Sequence, residues 1–196
     1  MKKIIFSFLT VVMVVSFFSC NQTAQKKQTE TVSVSEPIVV ISEQEVLDAQ
    51  KIWGEGIVHI GAIYSAEGDY TAAAEKHIDE LYGYNLGPVL FKPTLASIKQ
   101  FRTTKEGALS YFVGHNSNFS EDYGFAIKPW NAVRWESTGI KSEGNMAIAM
   151  GNYFFTYFGG DEVKVEYTFA YTKDDEGKLR IIMHGSHLPY SPVESH

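Results

Sequence analysis

Apolar residues recur along this chain in two rhythms, one helical in its first half and one strand-like in its second. After Val46, the residues Trp53, Ile57, Ile60 and Tyr64 fall at steps that place them on one helical face. Ser42 and Glu45 stand ahead of that stripe three residues apart, the spacing of a capping box. A long amphipathic helix is therefore predicted to start at Ser42 and to end near Gly68. Asp69 caps a second helix running through Leu81, with Tyr70, Ala73, Ala74, His77 and Leu81 as its inner stripe. Gly83 and Gly87-Pro88 break the chain after it. Val89 to Phe91 reads as a short strand stopped by Lys92-Pro93. Thr104 then caps a short third helix, Lys105 to Phe112, closed by Gly114.

Beyond this point the period becomes two. Asn131 to Ile140 and Asn145 to Tyr157 are rich in strand-forming residues. In Val163 to Thr172, Val163, Val165, Tyr167, Phe169 and Tyr171 share one face, and Lys164, Glu166 and Thr168 share the other. Gly159-Gly160-Asp161 and Lys173 to Gly177 read as hairpin turns, and Lys178 to Tyr190 as a closing strand. Helices followed by an antiparallel meander predict an α+β domain, with the N-terminal helices packed on the concave face of a curved sheet. A single such domain is expected over residues 42–196, long enough to bury a sizeable core. Trp130, Trp135 and most of the Phe and Tyr residues are expected to fill the space between helices and sheet.

The segment ahead of the domain has a different character. Lys2 and Lys3 precede an apolar run from Ile4 to Phe18, too short to span a bilayer comfortably, so residues 1–19 read as a signal peptide. The run ends in Ser16-Phe17-Phe18-Ser19-Cys20, which resembles a bacterial lipoprotein cleavage site in a looser form. Cys20 is then the expected site of lipidation. An ordinary signal peptide beside an unpaired thiol is the plainer alternative. Residues 20–41, rich in Gln, Thr and Ser, read as a flexible tether. Together these features place the chain in a bacterial cell envelope, anchored through Cys20 and facing the periplasm.

One cysteine in 196 residues excludes an internal disulfide framework and a Cys-rich zinc site. The formal charge is −6, and it becomes −8 once Lys2 and Lys3 leave with the leader. That acidity argues against a nucleic-acid partner, or a membrane contact other than the lipid. A homodimer is expected, because the uncovered outer face of a curved antiparallel sheet commonly meets a second copy.

The closing strand holds the candidate chemistry. His184 and Ser186 lie two apart, so an extended chain points both to one face in otherwise apolar surroundings. Metal binding has weak support. His184 and His187 fall on opposite faces of a strand, and His59, His77 and His115 lie on separate elements. No HExxH run or acidic calcium loop is present. A zinc site gathered from distant ligands stays open on sequence alone. A covalent hydrolase is disfavoured, because the GxSxG elbow is absent. A third possibility is a pocket of neutral hydroxyls and one imidazole, in which Thr94 and Tyr111 join Ser186 and His184 around a small polar ligand such as bicarbonate. The plainer alternative is that each hydroxyl satisfies a neighbouring backbone group.

Several ordered segments carry a resemblance. AQKIWGEGIVHIG (49–61), VLFKPTLA (89–96), QFRTTKEGALSYFVG (100–114), NMAIAMGNYFFT (145–156), VKVEYTFAYTKDDEGKLRI (163–181) and the closing strand resemble the iota-class carbonic anhydrases. More broadly, the architecture resembles the cone-shaped barrel of nuclear transport factor 2 and the association domain of calmodulin-dependent kinase II. The resemblance implies reversible hydration of carbon dioxide, with bicarbonate held by hydroxyl side chains. Carried over, those roles fall on Thr94 in FKPT, Tyr111 in LSYF and Ser186 in the closing strand, with His184 as the first histidine of the family's HHSS. Here the run reads His184-Gly185-Ser186-His187, so the second histidine and second serine are missing. That departure tells against a mechanism needing paired histidines. It leaves no metal cofactor as the expectation, with zinc or manganese, used by some members, as the alternative. Two other readings remain. One is a general acid/base isomerase or dehydratase of the same fold using His184 or Glu166; the other is a non-enzymatic ligand-binding or oligomerisation module.

Overall fold

The computed structural model describes residues 40–192. The predicted leader, Cys20 and the tether up to residue 39 lie outside the described residues. Ile41, at the end of the predicted tether, is buried in the core, so the folded part begins ahead of Ser42.

Helix α1 spans Glu43–Ser65. Its start is fixed reciprocally, with Ser42 N–H donating to Glu45 Oε2 at 2.8 Å and Glu45 N–H donating to Ser42 Oγ at 3.2 Å. Val46, Trp53, Ile57 and Ile60 are buried, whereas Tyr64, predicted on the same stripe, is 42% exposed. It is the penultimate residue of the helix and packs edge-on against Tyr70. Helix α2 spans Tyr70–Leu81 and is capped by Asp69, whose carboxylate accepts from Ala72 N–H at 2.9 Å. It runs against α1 at Gly56, where a Cβ would stand 2.1 Å from His77 Nδ1. The glycine gives the imidazole its place. Strand β1 is Leu90–Lys92, and α3 is Lys105–Val113, capped by Thr104 and closed by Gly114 at φ 74°. A single 3-10 turn, Ser117–Phe119, follows.

The meander comprises β2 (Trp130–Glu143), β3 (Met146–Tyr157), β4 (Glu162–Lys173) and β5 (Leu179–His187). The sheet order is β1-β5-β4-β3-β2, antiparallel throughout except for β1, which pairs parallel with β5. Register shifts near Ser137–Gly139 in β2 and at Ala170–Tyr171 against β5 mark bulges, which bend strands and strengthen twist. The result is the expected curved, open sheet with the helices on one face. Trp53 stands at the centre of the enclosed core, in contact with Phe125, Trp135, Tyr153, Phe155, Phe169 and His184.

Candidate active site

The register of β5 against its neighbours builds the polar end of the core. His184 sits opposite Phe91 on β1 and opposite Phe169 on β4. Its ring lies between theirs, stacked at 4.7 Å from Phe91 and 4.0 Å from Phe169. Two residues on, Ser186 points to the same face, as the period of the strand requires, and its Oγ lies 2.9 Å from His184 Nε2. Gly185 pairs with Thr168 on the outer face and His187 is exposed. The departures from HHSS therefore fall on the face of β5 turned away from His184 and Ser186.

The hydrogen bonds around His184 have a direction. Trp53 Nε1–H, a donor only, gives to Tyr82 Oη at 2.9 Å, and Tyr82 Oη lies 2.9 Å from His184 Nδ1. Tyr82 is fully buried, and if Nδ1 carried the hydrogen the phenol's own proton would have no acceptor. Tyr82 therefore donates to Nδ1, and Nε2 carries the imidazole hydrogen toward Ser186 Oγ. Tyr153 Oη completes the chain, hydrogen-bonded to Ser186 Oγ and 3.3 Å from His184 Nε2. Of the two hydroxyl protons on Ser186 and Tyr153, one joins the pair. The other is left for the cavity.

Burial sets the charge state of this chain. It pushes the His184 imidazole down to about 3, so the ring is neutral at ordinary pH. Burial likewise pushes the Tyr153 and Tyr82 phenols well above their usual range. His184 is therefore a poor proton acceptor, contrary to its candidacy as a base, and its geometry is that of a positioning residue.

Thr94 and Tyr111 reach the same place from the other side. Thr94 follows β1, and Tyr111 lies on α3. Burial pushes the Tyr111 phenol up to about 12, and hydrogen bonds from Leu95 N–H, 3.4 Å away, and the Thr94 side chain partly oppose this. Thr94, Tyr111, His184 and Ser186 line one cavity, closed by Trp53, Phe91, Phe112, Phe125, Tyr153 and Phe155. Its volume is about 10 Å³, room for the centre of roughly one water molecule. The arrangement presents uncharged hydroxyls to a small ligand in an apolar, water-poor hollow. Glu166, by contrast, is exposed on the outer face. Among the described residues no three His, Cys, Asp or Glu side chains converge on a point.

Residues 44–188 match the family of metal-independent carbonic anhydrases. The chain belongs to that family. A metal-independent carbonic anhydrase from Nostoc sp. is 52% identical over 169 residues, covering 84% of this chain and 82% of the relative. The crystal structure of an iota-carbonic anhydrase from a cyanobacterium, complexed with bicarbonate, superposes with a TM-score of 0.77 at 51% identity, over 81% of this chain and 100% of that one. A calcium/calmodulin-dependent protein kinase II association domain from Xanthomonas campestris has a TM-score of 0.52 at 22% identity. It covers 81% of this chain and 94% of its own length, and shows the shared fold. A family so described calls for no metal cofactor.

Tyr153, Tyr82 and Trp53 were not singled out as site residues on the sequence. Tyr153 lies on β3 with its side chain on the same face as Tyr167, and in the sequence it fell under the general expectation that Phe and Tyr residues fill the core. Only the order of strands reveals that it reaches β5.

Proposed function

We propose that this chain interconverts carbon dioxide and bicarbonate, without a metal, in the cavity shared by Thr94, Tyr111, Ser186 and Tyr153. The observation that carries this reading is the convergence of the hydroxyls on one apolar hollow, in a chain about half identical to a relative solved with bicarbonate. All the phenols there stay protonated at neutral pH, so the site offers donors to the oxygens of the ligand and no carboxylate to repel it. Holding water beside carbon dioxide in near-attack geometry supplies much of the acceleration.

The step needs no hydroxide. A cavity hydroxyl accepts a proton from the attacking water as it gives its own to an oxygen of carbon dioxide. The water oxygen bonds to carbon, and one C=O π pair becomes the lone pair that takes the proton. The product is carbonic acid, which releases its proton to solvent as bicarbonate. His184 holds Ser186 in place throughout and keeps its own proton at Nε2.

Stopped-flow hydration tests the reading. Activity is expected to survive exhaustive chelation and to fall roughly 10²- to 10³-fold in Ser186→Ala, the usual consequence of losing one stabilising donor. Loss on chelation, restored by zinc, would sink the metal-free mechanism. The isomerase reading loses its bases, since Glu166 is exposed on the outer face and both nitrogens of His184 are engaged, Nδ1 as acceptor from Tyr82 and Nε2 as donor toward Ser186.

Two further properties belong to this proposal. Cys20 carries a lipid that anchors the domain to a bacterial envelope membrane on its periplasmic side. Metabolic labelling with a radioactive fatty acid, lost in Cys20→Ser, tests it. The second is a homodimer through the outer sheet face, where Met146, Ile148 and Met150 on β3 are each about half exposed. Met150→Glu is expected to halve the mass seen by sedimentation equilibrium, and an unchanged mass would refute the contact.

A further inference from the structure

Two hollows meet at one pair of rings. The inner one is the cavity described above. An outer one, of about 70 Å³, opens toward the surface with Leu95, Tyr123 and Lys128 on its rim. Tyr111 and Phe125 line both. Their rings are stacked 5.7 Å apart at 18°, so they form the partition between the two. The chain straddles it as well, with Thr94 on the inner side and Leu95 on the outer.

The inner hollow holds about one water, whereas bicarbonate has four heavy atoms, so some wall gives way when the ligand binds. The polar wall is fixed. His184 is clasped between two rings, Ser186, Tyr153, Tyr82 and Trp53 share one hydrogen-bonded chain, and none of these is more than 2% exposed. The partition is held differently. Phe125 is only partly buried and its ring makes no hydrogen bond, and among the described residues the Tyr111 hydroxyl is met only by the adjacent Thr94 side chain and Leu95 N–H, the latter at the long distance of 3.4 Å.

We infer that Tyr111 and Phe125 are the door through which carbon dioxide and bicarbonate pass between the inner site and the outer hollow. The inference rests on the carbonic anhydrase reading. One cation at the rim is placed to meet the anion. Asp122 is spent on Arg102, 2.7 Å away, and on Ser110. Glu121 is spent mainly on the N–H groups of Ser97, Ile98 and Lys99. Among the described residues Lys128 has no carboxylate within ion-pair distance, and its ammonium rests 5.9 Å over Trp130. Lys128 is thus a cation on the rim held by no carboxylate, placed to meet a departing or arriving bicarbonate.

A plug decides the matter. The full chain carrying Cys20→Ser and Leu95→Cys is alkylated with a bulky fluorescent maleimide and compared with the same protein unlabelled. Hydration kcat/KM is expected to fall at least tenfold with the bulky adduct and less than twofold with a methylthio adduct on the same cysteine. A cysteine in place of Glu55, in the groove between α1 and α2, is expected to lose less than twofold with the bulky adduct. A rate that survives the bulky adduct at position 95, or that falls equally with the small one, overturns the door while leaving the enzyme intact. An unlabelled protein with no hydration activity overturns the functional reading and the door with it.

Discussion

Hydrogen-bond direction at His184 is a property of single residues, and it can be tested at Tyr82. That phenol accepts from a group that can only donate and gives to the imidazole, so removing it unpairs two buried atoms at once. Tyr82→Phe is expected to lower stability by about 1–3 kcal/mol for each orphaned group. It is also expected to lower hydration kcat/KM roughly 10- to 100-fold, because Ser186 loses its fixed partner. Chemical denaturation and stopped-flow assays on one preparation measure both. Ser186→Ala separates the roles by rate, since it deletes a hydroxyl of the cavity itself and is expected to lose more kcat/KM than Tyr82→Phe does. His184 and Ser186 were legible in the sequence because a spacing of two in a strand fixes a common face. Tyr82 and Tyr153 were not, since they meet His184 across 102 and 31 residues of chain. No local pattern encodes those contacts.

The segment between β1 and α3 brings Thr94 to the cavity, and one carboxylate ties much of it down. Glu121 accepts from Ser97 N–H and Oγ, Ile98 N–H and Lys99 N–H at 2.7–2.9 Å. The bonds from Ile98 and Ser97, then from Lys99, hold its carboxyl down to about 2. Arg102, fully buried on Asp122, closes the other end, and its N–H reaches Phe91 O at 2.8 Å. Glu121→Ala is therefore expected to free the Ile98 and Lys99 amides to exchange hydrogen at least tenfold faster and to lower kcat/KM several-fold. Glu121→Gln, which keeps one acceptor oxygen, is expected to fall between. Unchanged exchange at both amides would refute the role. The sequence showed the three helix caps and two of the three hairpin turns because each depends on residues within four positions, but not the Gly144-Asn145 turn between β2 and β3. It placed the short strand one residue early and left its partner open. Three residues, Leu90–Lys92, carry no period, and parallel pairing with β5 joins segments some ninety residues apart.

The whole molecule places two neutral imidazoles in one core. The α+β class was legible because the change from helical to strand period occurs once, near residue 130. His77 also appeared on the predicted inner stripe of α2. What the pattern could not reveal is that both His77 and His184 are desolvated enough for burial to push them down to about 3. In the unfolded chain each returns to about 6.5, so between the two values the unfolded state binds more protons than the folded one. Stability due to these residues is complete above pH 6.5 and is lost as pH falls through the window toward 3. The slope approaches about 1.4 kcal/mol per pH unit for each histidine. Between pH 6.5 and 4.5 most carboxylates are still ionised, and the two histidines dominate the slope. His77 has a buried Nε2 with no hydrogen-bond partner and packs against Trp53 and Phe112. His77→Phe keeps the ring and deletes both the orphaned nitrogen and the titration. It is expected to match or exceed the parent's stability at pH 7 and to halve the slope below pH 6, measured by urea unfolding across that range. A slope unchanged by the substitution would mean that His77 is protonated in the fold, and that the core admits charge where burial should forbid it.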